Sequence, residues 1–557
     1  MAKSEPATAM TGGDAIVRSL IANGVDTVFG LPGAQLYPLF DALRRHDRDI
    51  TTIGARHEQA CGYMAFGYAR STGRPGVFAV VPGPGVLNTA AAIVTALGCC
   101  QPVLCITGQV PSAFMGRGRG HLHEIPDQLA TLKSITKWSA RIERAADAPE
   151  IINEAFRQML SGRPGPVAVE MAWDAMAMTG AVLPATRAII PAMPPPSPDE
   201  IERAADLLFK AERPMIMTGS GAQGAAAEVL ALAEAIAAPV AAFRGGRGVV
   251  AEDHPLGISS YAAWRLWPEI DVVIGIGTRL EMPTMRWTGM MTLHGSLPPP
   301  QRLIRIDIDP SEMHRLKADA GIVADAAAGT AALLAALQAR KGVSVARAKQ
   351  RIAHFATVKD EARDAIDVVQ PQLGFLDVIR RVLPREAFLV PELSQVGFTS
   401  YFGYPVLEPR TYVSEGYQGT LGFGFPTALG VKVAHPQTPV VSITGDGGFM
   451  FAVQELATAK QYAIALVTIL FDNRSYGNVM RDQQERFGNR QIGAALDNPD
   501  FVALGKAFGV ETTRVTSAAS LEPVLAKAIR AKGPTLIVVE IPQASETSPW
   551  PFIHPVR

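Results

Sequence analysis

Three oxygen-bearing side chains and a run of glycines carry the chemistry legible in this sequence. Asp446 stands inside Gly445-Asp446-Gly447-Gly448, Asn473 closes a later apolar run, and Glu58 lies far upstream in Arg56-His57-Glu58-Gln59. Residues 440–444 are apolar and β-branched and predict a buried strand. Met450, Val453, Leu456 and Ala457 share one helical face, so a helix is expected from Gly448 onward. Residues 463–471 predict the next strand. A right-handed βαβ unit then puts Asp446 and Asn473 at the carboxyl ends of two parallel strands, where open α/β sheets bind ligands. The helix N-terminus between them favours a phosphate, and the glycines let backbone N–H groups approach it. Two side-chain oxygens beside a phosphate suit Mg²⁺, which takes few protein ligands and keeps phosphate oxygens in its shell. The plainer alternative is a glycine-rich turn with a capping Asp.

A Gly-Asp-Gly followed by an Asn at the end of the next strand resembles the signature of thiamine-diphosphate (ThDP) enzymes. The resemblance implies Asp446 and Asn473 as metal ligands, with the carbonyl of Ser475 as the third. It implies Gly445, Gly447, Gly448, Tyr476 and Gly477 around the diphosphate. The first third of the chain supplies the complementary motifs in order: Gly30-Leu-Pro-Gly33-Ala34, Arg56-His-Glu58-Gln59, Gly83-Pro-Gly-Val-Leu-Asn88 and Ile106-Thr-Gly-Gln109. These resemble the pyrimidine-binding (PYR) domain of acetohydroxyacid-synthase-like enzymes. Gly33 and Asn88 then belong to the cofactor site, and Gln35 to the substrate pocket. Glu58 matches the catalytic glutamate, whose carboxyl meets N1′ of the aminopyrimidine and so lets N4′ take the C2 proton. Without that context a lone Glu after a strand is a helix-start residue or half of an exposed ion pair.

Further downstream, residues 415–426 resemble the family's wedge segment. Gly419 would accept a hydrogen bond from the aminopyrimidine through its carbonyl. Leu421 would be the apolar wedge that bends the cofactor, and Gln395 a diphosphate contact. Other positions depart from the acetohydroxyacid synthase pattern. His123 replaces a Gln near the reacting carbon, and Asn478 and Asp482 replace the Met and Trp of the acceptor pocket. A histidine there is either a titratable pocket group or a surface loop residue. An acidic Asp482 suits an apolar or anionic acceptor poorly.

The elements that position these residues follow from alternating apolar runs and glycine turns, which predict parallel α/β domains. At 557 residues the chain exceeds one core. A proline-rich stretch at 191–198 marks one boundary, and polar helical residues near 340–370 mark another. The expected organisation is α/β throughout, with three doubly wound parallel-sheet domains: PYR at 1–188, a central Rossmann-like domain at 189–345 and a diphosphate-binding (PP) domain at 346–557. In the resembled family the central domain binds FAD in some members, and Arg279 matches an arginine near the flavin and second keto acid.

Lys+Arg and Asp+Glu both number 52, and no basic run argues for nucleic acid. The four cysteines have no zinc-type spacing. No apolar run is long enough to span a bilayer and no signal segment is evident, so a soluble, cytoplasmic chain without membrane or nucleic-acid partners is expected. The resemblance further implies a homodimer, with a homotetramer as dimer of dimers, in which Glu58 serves the partner's cofactor. The reaction expected is carboligation of the acetolactate synthase type on a 2-oxo acid. The alternatives are a 2-oxo acid decarboxylase or hydroxyketone lyase, or a flavin-linked oxidase resembling pyruvate oxidase.

Overall fold

A computed structural model of the chain describes residues 6–288, 301–340 and 345–555. Three parallel sheets dominate it, each covered by helices. The first has six strands in spatial order Thr51–Gly54, Thr27–Gly30, Gly76–Val80, Val103–Gln109, Val167–Ala172 and Trp138–Ile142. The second also has six, with Pro214–Thr218, Val272–Ile276, Arg302–Asp307 and Ala320–Val323 adjacent in that order. The third has five: Phe388–Pro391, Val440–Gly445, Val467–Asp472, Thr535–Glu540 and Glu511–Val515. Their central strands are apolar and buried along almost their whole length, as strands covered on both faces must be. Fold class and sheet type are those the alternation predicts.

A short antiparallel pair, Thr8–Thr11 with Thr179–Val182, ties the start of the first domain to its end. Residues 183–197 then run irregularly and mostly exposed to the first helix of the second domain, Pro198–Lys210. The polar helix Val345–Ile366 leads into the third domain. First and third domains are joined by two helices, Glu58–Thr72 and Gly424–Ala434, that cross in backbone contact. A Cβ on Gly67 would collide with the Thr427 carbonyl, and one on Gly430 with the Met64 carbonyl. Only glycine allows this approach. No helix among the described residues is long and apolar enough to cross a membrane.

Two local expectations are corrected. The helix after the Gly-Asp-Gly turn is not continuous: a single turn, Asp446–Phe449, is followed by a break and then by Glu455–Gln461. The second helix begins at the wholly buried Glu455, whose two carboxylate oxygens accept from the Arg56 N–H at 3.1 Å each. Docking onto the first domain thus overrides the helical periodicity. The following strand begins at Val467, not 463. Ala463 is left-handed at φ +48°, and the Ile464 N–H returns to the Ala459 carbonyl, so these residues terminate the helix instead.

Candidate active site

Parallel pairing of 440–445 with 467–472 places Asp446 and Asn473 side by side just past the strand ends. Both line a cavity of ≈ 220 Å³ together with Gln395, Leu421, Tyr476 and Glu546. Asp446 is 2% exposed. Its Oδ1 accepts from the Gly447 N–H at 2.8 Å, and its Oδ2 from Asn498 Nδ2 at 2.8 Å. Asn498 also donates to Asp472 Oδ1 at 2.9 Å, bridging the two carboxylates. Burial raises the Asp446 carboxyl to about 6, and the negative charge of Asp472 adds to the rise. A cation at this point would reverse that effect.

The Asn473 amide is fixed from both ends. Its Oδ1 accepts from the N–H and the hydroxyl of Ser475, both at 3.0 Å, and its Nδ2 donates to Glu546 Oε2 at 2.6 Å. Burial, reinforced by Asp446, raises the Glu546 carboxyl as well. Arg481 braces the same wall, donating to Gln395 Oε1 at 2.9 Å and to the Glu546 carbonyl at 2.8 Å. The glycines let neighbouring side chains pack directly against this backbone. A Cβ on Gly447 would strike Tyr476, one on Gly448 would strike Glu392, and one on Gly477 would lie 3.1 Å from Asn473 Nδ2. This donor set, two hard side-chain oxygens beside close-packed backbone amides, fits Mg²⁺ and a diphosphate.

Leu421 is half-buried in this cavity, after Gly419 in a left-handed conformation at φ +61°. Beneath the turn lies the wholly buried Glu392. It accepts from the Gly422 N–H and, through Oε2, from Thr444 Oγ1 at 2.7 Å. Burial raises this carboxyl to about 7. Glu392 therefore staples the Leu421–Gly422 turn to the strand that delivers Asp446.

The other group lies in the first domain. Glu58 opens the helix Glu58–Thr72 behind the cap His57, and its Oε2 accepts from Asn88 Nδ2 at 3.0 Å. His123 Nδ1 meets Gln35 Oε1 at 2.7 Å, while Gln35 Nε2 donates to the Leu122 carbonyl at 2.9 Å. Burial lowers the His123 pKa, against the opposing charge of Glu58, so the ring is neutral at pH 7. Gln35 and His123 are both left-handed at φ +68°, a strained state for such residues. The backbones of Gly108 and Gly83 press against them where a Cβ would not fit. Gly33 packs against Val81 in the same turn region. None of these first-domain residues lines the Asp446 cavity.

Among the acceptor positions, Asn478 lines the cavity and its Oδ1 accepts from Trp550 Nε1. Asp482 does not line it: it is half-buried and pairs with Arg486 one helical turn on, at 3.5 Å. Sequence reading missed Glu546, Trp550, Arg481, Glu392 and Asn498. Arg481 lies on the same helix as Asn478 and was within reach of the spacing argument. Glu546 and Trp550 carried no signal, since they follow the strand Thr535–Glu540, which pairs with the strand ending at Asp472, in a segment without strand or long-helix periodicity.

A second cavity, ≈ 380 Å³, lies at the carboxyl ends of the central strands against the other two domains. Gly219, Gly221 and Gly277 pack backbone on backbone at its floor, and Asp307 ends a strand beside it. Arg279 stands over the Tyr417 ring at 4.7 Å and donates to the Gly98 carbonyl at 3.1 Å.

Three parallel-sheet domains, with Asp446 and Asn473 at adjacent strand ends in the third and a carboxylate at a helix start in the first, define an α/β protein with the donor set of a cofactor site. The comparisons give the family. Thiamine pyrophosphate enzyme domains match at residues 10–131 (N-terminal TPP binding domain), 201–337 (central domain) and 394–539 (C-terminal TPP binding domain). A probable acetolactate synthase large subunit of Methanocaldococcus jannaschii is 36% identical over 96% of this chain and 92% of its own. A probable 2-ketoarginine decarboxylase of Pseudomonas aeruginosa is 35% identical over 96% and 94%. Acetolactate synthase isozyme 2 large subunit of Escherichia coli is 34% identical over 98% of each. The chain belongs to the thiamine pyrophosphate enzyme family.

Proposed function

We propose that the chain is a ThDP- and Mg²⁺-dependent enzyme that decarboxylates a 2-oxo acid and joins the remaining fragment to a second carbonyl compound, as in acetolactate synthesis. The observation that carries this reading is the shared cavity of Asp446, Asn473 and Leu421, which joins metal ligands to a cofactor wedge. ThDP supplies a carbon nucleophile that adds to the 2-oxo group. Asp446, Asn473 and the Ser475 carbonyl would hold the metal. The amides after Gly445 would hold the diphosphate, and Leu421 would set the cofactor's bend. Glu58 holds the proton that cycles with the aminopyrimidine. Neutral His123, oriented by Gln35, offers one ring nitrogen to the substrate without adding charge.

Glu58 completes a site on a second copy of the chain in this reading. The support is that the Glu58–Asn88 pair stands apart from its own chain's metal cavity, while Leu87 (49% exposed) and Phe451 (50%) flank the two halves as uncovered apolar surface. An isologous dimer covers them. FAD in the central cavity is supported by its glycine floor and by Asp307, an acceptor suited to a ribose hydroxyl.

One observation favours a second reading. A probable 2-ketoarginine decarboxylase is 35% identical to this chain, as similar as the acetolactate synthase subunits, which supports simple decarboxylation of a 2-oxo acid with a cationic tail. A panel of 2-oxo acids with CO₂ and product analysis decides. Acetolactate-type products support carboligation, aldehyde release from a cationic substrate supports the second reading, and no CO₂ from any substrate refutes both.

A further inference from the structure

We propose that Gln128 is a positioning residue for both polar pairs of the first-domain half of the site, Gln35–His123 and Glu58–Asn88. The proposal rests on the reading above, in which His123 meets the substrate and Glu58 the cofactor. Gln128 opens the helix Gln128–Ile135 and is 1% exposed. Its Oε1 accepts from the Gly83 N–H at 2.7 Å. Its Nε2 donates to the Gly108 carbonyl at 3.0 Å and to Glu170 Oε2 at 2.8 Å. A donor on one side and two acceptors on the other leave this amide a single orientation. The wholly buried Glu170 is held in turn by Arg141, its partner on the neighbouring strand, whose Nε and Nη2 reach Oε1 at 2.7 and 2.6 Å. A chain of paired side chains thus runs from the half-buried Arg141 to two loop glycines.

Those glycines back the two pairs. A Cβ on Gly83 would lie 2.4 Å from the His123 carbonyl, and one on Gly108 would lie 2.4 Å from the Gln35 carbonyl. Each glycine therefore touches the backbone of a residue held at φ +68°. Such conformations persist only where the surroundings over-determine them. Gly83 is also the cap, at φ +60°, of the short helix Pro84–Asn88, whose last residue donates to Glu58. By tying Gly83 to Gly108, the Gln128 amide fixes the spacing of the loops that carry both pairs. A buried polar network with its members paired is rigid enough to do this. The consequence is readable at the His123 ring. Gln35 Nε2 donates to the Leu122 carbonyl, so Gln35 Oε1 faces His123 Nδ1 as an acceptor. The proton of the neutral ring then sits on Nδ1, and Nε2 is left as the acceptor. That tautomer depends on the 2.7 Å contact, and hence on the loop spacing that Gln128 sets.

The test compares wild type with Gln128→Met, which keeps the length of the side chain and drops its hydrogen bonds. Full-length protein with isotope-labelled histidine is studied without cofactor by NMR at neutral pH, the His123 ring being assigned by its loss in His123→Gln. Wild type should show the Nδ1–H tautomer, and Gln128→Met a mixture of both. With ThDP and Mg²⁺ added, the variant should bind the cofactor as wild type does, because Asp446 and Asn473 lie in the third domain. Its kcat/KM for a 2-oxo acid should fall by about tenfold to a hundredfold, the scale of a misplaced catalytic group. Should Gln128→Met fail to fold, Glu170→Gln replaces it, since one carboxamide cannot accept from both Arg141 and Gln128, and the same mixture of tautomers is expected. A variant that melts lower but keeps the wild-type tautomer overturns the proposal, and so does a mixed tautomer with unchanged kcat/KM. Absence of turnover in wild type with any 2-oxo acid refutes the functional reading instead, and the tautomer comparison still decides whether Gln128 positions His123.

Discussion

Glu546 Oε2 accepts from Asn473 Nδ2 at 2.6 Å, so a carboxylate that follows the last strand decides which end of the Asn473 amide, the proposed metal ligand, points into the cavity. With Nδ2 engaged, Oδ1, which accepts from the Ser475 N–H and hydroxyl, is the end of the amide that a cation would meet in place of the hydroxyl. Glu546→Ala frees the amide to rotate. Outer partners of metal ligands typically account for about 10–100-fold in metal affinity. Mg²⁺ titration at saturating ThDP should show a loss of that order, and unchanged Mg²⁺ affinity would leave Glu546 without this role.

Asp446→Ala removes a hard oxygen ligand and leaves the diphosphate charge under-neutralised. Calorimetry with ThDP plus Mg²⁺ should show binding abolished or greatly weakened. Wild-type affinity would sink the metal assignment.

Glu58→Gln keeps the size of the side chain and its contact with Asn88 but cannot cycle a proton. Cofactor binding should persist while turnover falls by about 10²–10⁴, the usual contribution of an acid–base group. Mixed dimers of Glu58→Gln and Asp446→Ala subunits contain one site with both lesions and one with neither. Partial recovery of activity, with subunit exchange verified by mass, is the outcome expected. No recovery would place both halves of each site on one chain.

The pH dependence of cofactor-free stability follows from Asp446 and Glu392. Both carboxyls are raised in the folded state, to about 6 and about 7. Their contribution is therefore complete below the unfolded carboxylate range and is lost as pH rises through those values. Cofactor-free protein should melt progressively lower between pH 5 and pH 8, about the span of these two titrations. The gain in melting temperature on adding ThDP and Mg²⁺ should widen over the same interval. A gain that shrinks with rising pH would contradict the sign.

Trp550→Phe removes the donor that holds Asn478 while keeping an aromatic ring against Phe398, now 5.1 Å away. Product ratios from mixed 2-oxo acids should shift, with donor decarboxylation retained to within about tenfold, since a lost orienting hydrogen bond contributes on the order of 1 kcal/mol. Asp482→Trp should change the ratios less, because Asp482 faces solvent and Arg486.

The sheets were legible because buried parallel strands are continuous apolar runs. Asp446 and Asn473 stand out in the sequence because each follows such a run at a turn, whereas Glu58 follows the short edge strand Thr51–Gly54 and stands out only by its motif. The break after Phe449 was not, since it depends on Glu455 docking against the Arg56 backbone, a contact remote in sequence. Glu546 and Trp550 escaped for the same reason: nothing local in the tail encodes where it returns. Asp482 was misjudged by spacing alone. It sits one turn beyond Asn478 on the same helix, but the cavity wall ends before that turn.

The segment that supplies Glu546 and Trp550 leads from the last strand back across the Asp446–Asn473 cavity, and His554 stacks on Trp550 at 5.3 Å. Trimming by an exopeptidase or fusion of a bulky tag there would register first as an enzyme that sheds its cofactor on a desalting column, long before any loss of folded structure. Preparations judged sound by circular dichroism could be catalytically empty. An affinity handle is better attached at the opposite end of the chain.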